Sequence, residues 1–395
     1  MTASPMPRQG AWSVYVHFPW CLKRCAYCDF ATSVADRIPR GEYTAAVLAE
    51  LEMRTAAIQA APVATVFFGG GTPSLWGARH VGAVLEWIDQ WAGLRADAEV
   101  TLEANPGAAE TGDLQDYAAA GVNRVSLGVQ SLHARHLRWL DRIHDAADAL
   151  AAVDRLLEFN AAGRLRSVSV DLIFGIPGQT LGQLRADVAA LVDRGVPHLS
   201  AYALTVEERT PLHARMARGE VRAPSDAATV RQLMALPGLV ASGGLLRYEV
   251  SNFARPGHES RHNQAYWRGD HYLAAGVGAH GFVPAPQLCG VRYANSRHSG
   301  QYIDRIAQRQ LATEFEEPID AATHATERVM TGLRTAAGLD LAALESIAGP
   351  AVVDRLVARA RDRGLVGRDV VVVDGHLRLS EAAWPRLDGV VRALA

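Results

Sequence analysis

Six short apolar runs, rich in β-branched and aromatic residues, alternate with segments of helical periodicity over the first half of this 395-residue chain. That alternation constrains the fold more than any other feature. The runs are Ser13–Phe18, Thr65–Phe68, Glu99–Leu102, Arg124–Val129, Ser167–Phe174 and His198–Leu204. Between them, apolar residues recur at helical spacing over Glu42–Ala60, Val81–Trp91, Asp113–Ala120, Ala146–Phe159 and Leu181–Val192. Gly121 and Gly195 stand where two of these helices should stop. Strands apolar on both faces, each followed by a helix, predict a parallel sheet covered by helices. No GxGxxG follows the first strand, which favours a closed or partly closed barrel over an open doubly wound sheet. In such barrels the chemistry sits at the C-terminal ends of the strands.

Charge and cysteines narrow the function. A net charge of -2 argues against nucleic acid as a main partner, since phosphate binding needs clustered positive charge. The opening MTASPMPRQGAW has no apolar h-region, and no uninterrupted apolar run is long enough to span a bilayer. The expectation is a cytoplasmic protein, in a compartment where cysteines serve more often as ligands or catalysts than in disulfides. Three of the four cysteines fall together as Cys21-Leu-Lys-Arg-Cys25-Ala-Tyr-Cys28, and Cys289 stands alone. Structural zinc needs four closed ligands, and no second pair follows. Three thiolates on one loop suit an iron–sulfur cubane whose fourth iron stays open to a non-protein ligand, with zinc and coincidence as the alternatives.

Each later strand delivers a polar group to the same end of the barrel. The second runs into Gly69-Gly70-Gly71-Thr72-Pro73-Ser74, where missing side chains let backbone amides approach a small ligand. The third ends at Glu103, within Leu102-Glu103-Ala104-Asn105-Pro106, and the fourth at Gln130. The fifth carries Asp171 and ends in Gly175-Ile176-Pro177-Gly178-Gln179-Thr180. Singly, each could be a tight turn, a helix cap or a satisfied surface group; their shared position points to a common ligand.

The CxxxCxxC loop after YVHFPW, followed by GGGTPS, LEANPG, GVQS and DLIFGIPGQT, resembles the radical S-adenosylmethionine (SAM) superfamily. Within it the match is to the coproporphyrinogen III dehydrogenase-like branch, from about residue 12 to the C-terminus. The resemblance implies an α/β fold, a partial (β/α)6 TIM-like barrel, with a [4Fe-4S] cluster on Cys21, Cys25 and Cys28 and SAM chelating the fourth iron. It places Tyr15 and Tyr27 near the cluster and the adenine, and Gly70, Gly71 and Thr72 at the methionyl end of SAM. Glu103, Gln130, Arg142 and Asp171 complete the SAM pocket, the acidic pair towards amine and ribose and Arg142 towards the carboxylate. A zwitterionic ligand needs both signs nearby, which agrees with that assignment. Asp141 stands where the family more often has glycine.

This branch contains oxygen-independent coproporphyrinogen III dehydrogenases, which decarboxylate two propionates, and HemW-type heme chaperones, which bind heme and deliver it. Three features favour the chaperones. The dehydrogenases carry a fourth cysteine where this chain has Phe30; they have a long N-terminal extension where only about a dozen residues precede the first strand here; and Arg261-His262-Asn263-Gln264-Ala265-Tyr266-Trp267 contains the chaperones' HNxxYW motif. An imidazole commonly ligates heme iron, so His262 is the candidate heme contact, with a structural hydrogen-bond cluster as its alternative. His280, in the glycine-rich run Ala275–Gly281, and His17 are further candidates, and Cys289 reads as a small buried hydrophobe. The implied partners are heme and a heme-acceptor protein, of the respiratory chain or a membrane surface, with peripheral membrane association and a homodimer compatible with that role. Whether SAM is cleaved in turnover stays open, as does a radical SAM enzyme acting on an unrelated substrate.

The sequence divides into residues 1–12 as a flexible N-terminus, 13–310 as the barrel with its HNxxYW extension, and 311–395 as a C-terminal unit. In the last, helices over Ala321–Leu333, Leu341–Ala348 and Val352–Arg363 precede a hairpin turning at Asp374-Gly375. That order predicts a winged-helix-like arrangement. Its mixed charges disfavour DNA binding and suit a lid or docking unit.

Overall fold

The computed structural model describes residues 10–107, 113–222 and 225–394. Six parallel strands form the barrel wall: β1 (Trp12–Phe18), β2 (Val63–Gly70), β3 (Leu94–Ala104), β4 (Arg124–Gln130), β5 (Ser167–Phe174) and β6 (His198–Ala203). Helices cover their outer face, among them α1 (Arg40–Thr55), α2 (Ala78–Ala92), α3 (Ala146–Ala161) and α4 (Leu181–Val192). The helix-covered face of the runs is buried as expected, with Val14, Val16, Phe18, Val66, Phe68, Leu102, Val168 and Val170 inaccessible or nearly so. The inward face is not apolar, because Tyr15, His17, Thr65, Glu103, Ser126 and Asp171 alternate with them. The start of α4 is fixed by a capping box, in which Thr180 Oγ1 accepts from Gln183 N at 3.2 Å while the Gln183 side chain reaches back to Thr180 N at 2.9 Å.

The sheet does not close between β1 and β6. Beyond β6 lies a short antiparallel edge, Asn252–Ala254 and Leu246–Arg247. Beyond β1 the sheet continues through β7 (Tyr272–Ala275), parallel to it, and then antiparallel through β8 (His280–Val283), β9 (Gly290–Asn295) and β10 (Thr313–Ile319). Among the described residues, twelve strands in one sheet with two free ends make a partial barrel. Glu50 on α1 ties this extension to the barrel. It is fully buried and accepts from Arg54 Nε at 2.6 Å, Gly276 N at 2.8 Å, Asn295 Nδ2 at 2.7 Å and the Tyr302 hydroxyl at 2.7 Å.

The C-terminal unit has its own core, with Leu344, Leu356, Leu377 and Trp384 among its buried residues. A helix at Ala321–Gly332, a strand at Leu339–Asp340, helices at Leu341–Ala348 and Pro350–Asp362, and a hairpin of Val370–Val373 and His376–Leu379 follow the winged-helix order. Asp374 and Gly375 take φ of 50° and 75°, the backbone a type I′ turn demands.

Two expected boundaries move. Residues 1–9 of the proposed flexible N-terminus lie outside the described residues, but Trp12 opens β1 and is fully buried. The C-terminal unit does not begin at 311: Thr313–Ile319 pairs along β9 and belongs to the large sheet. The dividing point is Asp320, which caps the following helix by accepting from Thr323 N at 2.8 Å.

Candidate functional site

The cysteine loop leaves the C-terminal end of β1 at Pro19 and is closed by a small parallel pairing. Trp20 faces Ser33 and Cys21 faces Val34, and Ser33 N donates to Pro19 O at 2.7 Å. Inside that closure Cys28 N donates to Cys25 O at 3.2 Å. Gly71 cannot carry a side chain here, because a Cβ would lie 2.7 Å from Trp20 O. Gly70 (φ 117°) is equally confined, against the His17 ring. The triple glycine thus lets the cysteine loop pack directly on the end of β2.

A cavity of about 290 Å³ opens above these strand ends. Cys21, Cys25 and Cys28 line one wall; Gly70, Gly71, Glu103, Gln130, Arg142 and Asp171 line the rest, with Tyr27 beside the thiols. Ten of the thirteen residues singled out from the sequence therefore meet in one place. Thr72, Tyr15 and His262 do not. Thr72 is buried behind the wall, its hydroxyl accepting from Asn105 Nδ2 at 3.1 Å. Tyr15 faces a second cavity.

Two buried carboxyls dominate the electrostatics of the first cavity. Burial, and then the neighbouring Asp171, push the Glu103 carboxyl up to about 8. Burial pushes Asp171 up to about 6, against the hydrogen bonds of Ser200 and Ser126. Glu103 Oε2 accepts from Gly70 N at 3.0 Å, and Ser126 Oγ is 3.2 Å from both Asp171 oxygens. An ammonium and a sulfonium brought by a ligand would favour the charged form of both carboxyls. Arg142 serves the wall and the thiols. It donates to Asn105 Oδ1 at 2.5 Å, Gly128 O at 2.9 Å and Cys25 Sγ at 3.4 Å. Burial pushes the Cys28 thiol up. Three thiols on a closed loop, with two carboxyls and glycine backbone opposite, fit a cubane cluster bearing SAM on its open iron. Asp141 holds φ 58°, the left-handed backbone that favours glycine, and pairs with Lys23 at the rim at 3.5 Å.

Asn105, Ser126 and Tyr202 also line the cavity and were not singled out. Asn105 stood within the LEANPG motif; Ser126 and Tyr202 belong to the inward-facing alternation of β4 and β6, which runs too short in polar residues to be read from sequence.

His262 lies at the other end of the barrel. The HNxxYW segment is a helix, α5 (Arg261–Trp267), whose first amides, Arg261 N and His262 N, donate to Glu99 at 3.2 and 3.0 Å. His262 is buried and both ring nitrogens are engaged, Nδ1 with Thr65 Oγ1 and Nε2 with the Tyr266 hydroxyl, each at 2.8 Å. Thr65 is five residues before Gly70, roughly 16 Å back along the strand. Burial lowers the imidazole to about 3. The neutral ring is a hydrogen-bonded plug in the barrel floor, stacked on Phe67 with centroids 5.1 Å apart. Neither nitrogen faces open space, which is the hydrogen-bond cluster given above as the alternative to an iron contact. His17 is similarly held, with Nδ1 3.0 Å from the Tyr15 hydroxyl and Nε2 3.0 Å from Ala31 O.

The second cavity, about 740 Å³, lies between the sheet extension and the helix Ala321–Gly332. Phe30 is 64% exposed and lines both cavities. No helix among the described residues is long and apolar enough to cross a membrane.

Comparison with known proteins agrees with this geometry. The family model of the radical SAM superfamily matches residues 15–191. The heme chaperone HemW of Mycobacterium tuberculosis (strain CDC 1551 / Oshkosh) is 38% identical over 401 residues, covering 99% of this chain and 96% of its own. That of Escherichia coli (strain K12) is 36% identical over 298 residues, covering 74% and 77%. Among solved structures, the coproporphyrinogen III oxidase HemN from Escherichia coli superposes with a TM-score of 0.80 over 97% of this chain and 90% of its own, at 20% identity. That match shows a shared fold. With a relative alike over nearly the full length of both chains, the protein belongs to the HemW heme chaperone family of the radical SAM superfamily.

Proposed function

We propose that this protein binds heme and passes it to an acceptor protein in the cytoplasm, using a [4Fe-4S] cluster on Cys21, Cys25 and Cys28 and SAM held across Glu103, Asp171, Gly70 and Gly71. The observation that carries the cofactor reading is the single cavity into which three thiols, two buried carboxyls and glycine backbone converge. When bound, the cluster and SAM supply the electron and the cleavable sulfonium of radical chemistry. The chain's own residues do the rest. Arg142 steadies Cys25, Glu103 and Asp171 balance the positive charges of SAM, and Tyr27 packs against Leu140, Ile173 and Ile176 to keep water from the thiols.

Phe30 favours heme delivery over decarboxylation. At the position of the dehydrogenases' extra cysteine it presents an apolar ring to both cavities. The test is one anaerobic preparation, reconstituted with iron and sulfide, given either hemin or coproporphyrinogen III with SAM and a low-potential reductant. Stoichiometric heme uptake without protoporphyrinogen formation is expected. Sustained conversion of coproporphyrinogen III would overturn the reading.

A further inference from the structure

The cavity between the sheet extension and the C-terminal unit has a use that the SAM site does not account for. Its volume of about 740 Å³ is within the range of sites that enclose a sizeable cofactor, roughly 300 to 1,000 Å³. Its walls are aromatic, with Tyr266, Tyr272, Phe282 and Phe30 facing in. Tyr266 packs edge-on against Tyr272, centroids 4.6 Å apart, so the HNxxYW helix reaches this cavity through its tyrosine rather than its histidine. On β8, His280 and Phe282 share a face, and Arg292 on β9 stands opposite Phe282. His280 is exposed to the cavity, and its ring has no hydrogen-bond partner among the described residues. Arg292 and Arg297 both lie close enough to disfavour its protonated form, after burial itself. An imidazole without a hydrogen-bond partner, in one aromatic-lined cavity with two guanidiniums, has the donor set of a metalloporphyrin site: nitrogen for iron, cations for carboxylates, and rings for the macrocycle face.

We infer that heme docks in this second cavity, with His280 as an axial ligand and Arg297 near a propionate. This rests on the heme reading above and assigns that ligand a place. Phe30 then stands as the partition between heme and the SAM cavity. Arg292 is already paired with Glu317 at 2.9 Å and Glu327 at 2.7 Å. Arg297 donates to the Asp29 carbonyl and lies 3.5 Å from its carboxylate, but this longer pair is half-exposed on both sides, which leaves Arg297 the more easily drawn to a ligand carboxylate.

The test is a hemin titration of the cluster-reconstituted full chain, followed by the Soret band and by the iron spin state. His280→Ala should lose the wild-type ligation spectrum and weaken binding at least tenfold, and added imidazole should restore the spectrum. A structural role for His280 would not give that rescue. Met330→Trp, which puts a bulkier side chain at a half-exposed residue lining the same cavity, should weaken binding similarly while iron content and SAM binding stay unchanged. If the wild type takes up no heme, the heme reading itself falls, and this assignment with it. If the wild type binds heme and His280→Ala gives the same spectrum and affinity, the heme reading stands and the second cavity is wrong.

Discussion

Glu103→Gln probes the electrostatics on which SAM binding depends. The buried carboxyl, ordinarily near 4.5, is held protonated up to about 8 in the ligand-free cavity. A ligand that needs the carboxylate must expel that proton at pH 6 and half of it at pH 8. The ionised fraction rises from roughly 1% to one half across that interval, so SAM affinity should rise about 50-fold, or about 2.3 kcal/mol. Glutamine is isosteric with the protonated acid and can still accept from Gly70 N. The variant's affinity should lack this rise, so the wild-type to variant affinity ratio should grow about 50-fold between pH 6 and pH 8. Equilibrium dialysis of labelled SAM against reconstituted protein at pH 6, 7 and 8 measures both. The titration of SAM itself is common to both proteins and cancels in the affinity ratio. A ratio that does not change with pH would refute the reasoning. Stability carries the matching sign. Because the folded value lies above the ordinary one, this group's contribution is fully present below about 4.5 and is lost as pH rises through about 8. Ligand-free wild type should therefore lose stability over that window, and the glutamine variant should lose less.

Two further substitutions test the scaffold. Glu50→Ala removes the shared acceptor of Arg54, Gly276, Asn295 and Tyr302 and leaves a buried guanidinium uncompensated; it should cost about 3 to 5 kcal/mol in urea unfolding, and a change below 1 kcal/mol would remove Glu50 as the tie between barrel and extension. Asp141→Gly relieves a left-handed residue and gives up only a rim ion pair, so it should raise stability by about 0.5 to 1 kcal/mol with SAM binding intact; destabilisation would mean that the pair with Lys23 outweighs the strain.

The barrel was legible because its strands carry β-branched and aromatic residues on the face that the helices cover and its helices carry end signals. Ser167–Phe174 and Leu181–Val192 match residue for residue, the first because Val168, Val170, Leu172 and Phe174 recur at strand spacing and the second because Thr180 and Gln183 cap its start. β3 begins five residues earlier than its apolar run, since Arg95 and Asp97 lie on its exposed, polar portion. The sheet extension went unread. Gly276, Gly278, Gly281 and Gly290 interrupt its short strands, and those glycines are required where a Cβ would strike His17 O, Ala31, Tyr293 or Phe282. In the site, the cysteines, Glu103, Gln130 and Asp171 were found because strand ends converge in any such barrel. Which way Tyr15 and His262 face depends on long-range packing against Phe67, Thr65 and Glu99, and no local pattern encodes that.

The measurement that tests the central claim most directly is heme transfer followed by stopped-flow absorbance. Reconstituted, SAM-bound protein carrying one heme would be mixed with increasing concentrations of an apo b-type cytochrome. Direct hand-off predicts a transfer rate that climbs with acceptor concentration. A rate independent of acceptor, equal to release into a heme scavenger, would contradict the account and leave a protein that binds heme without delivering it.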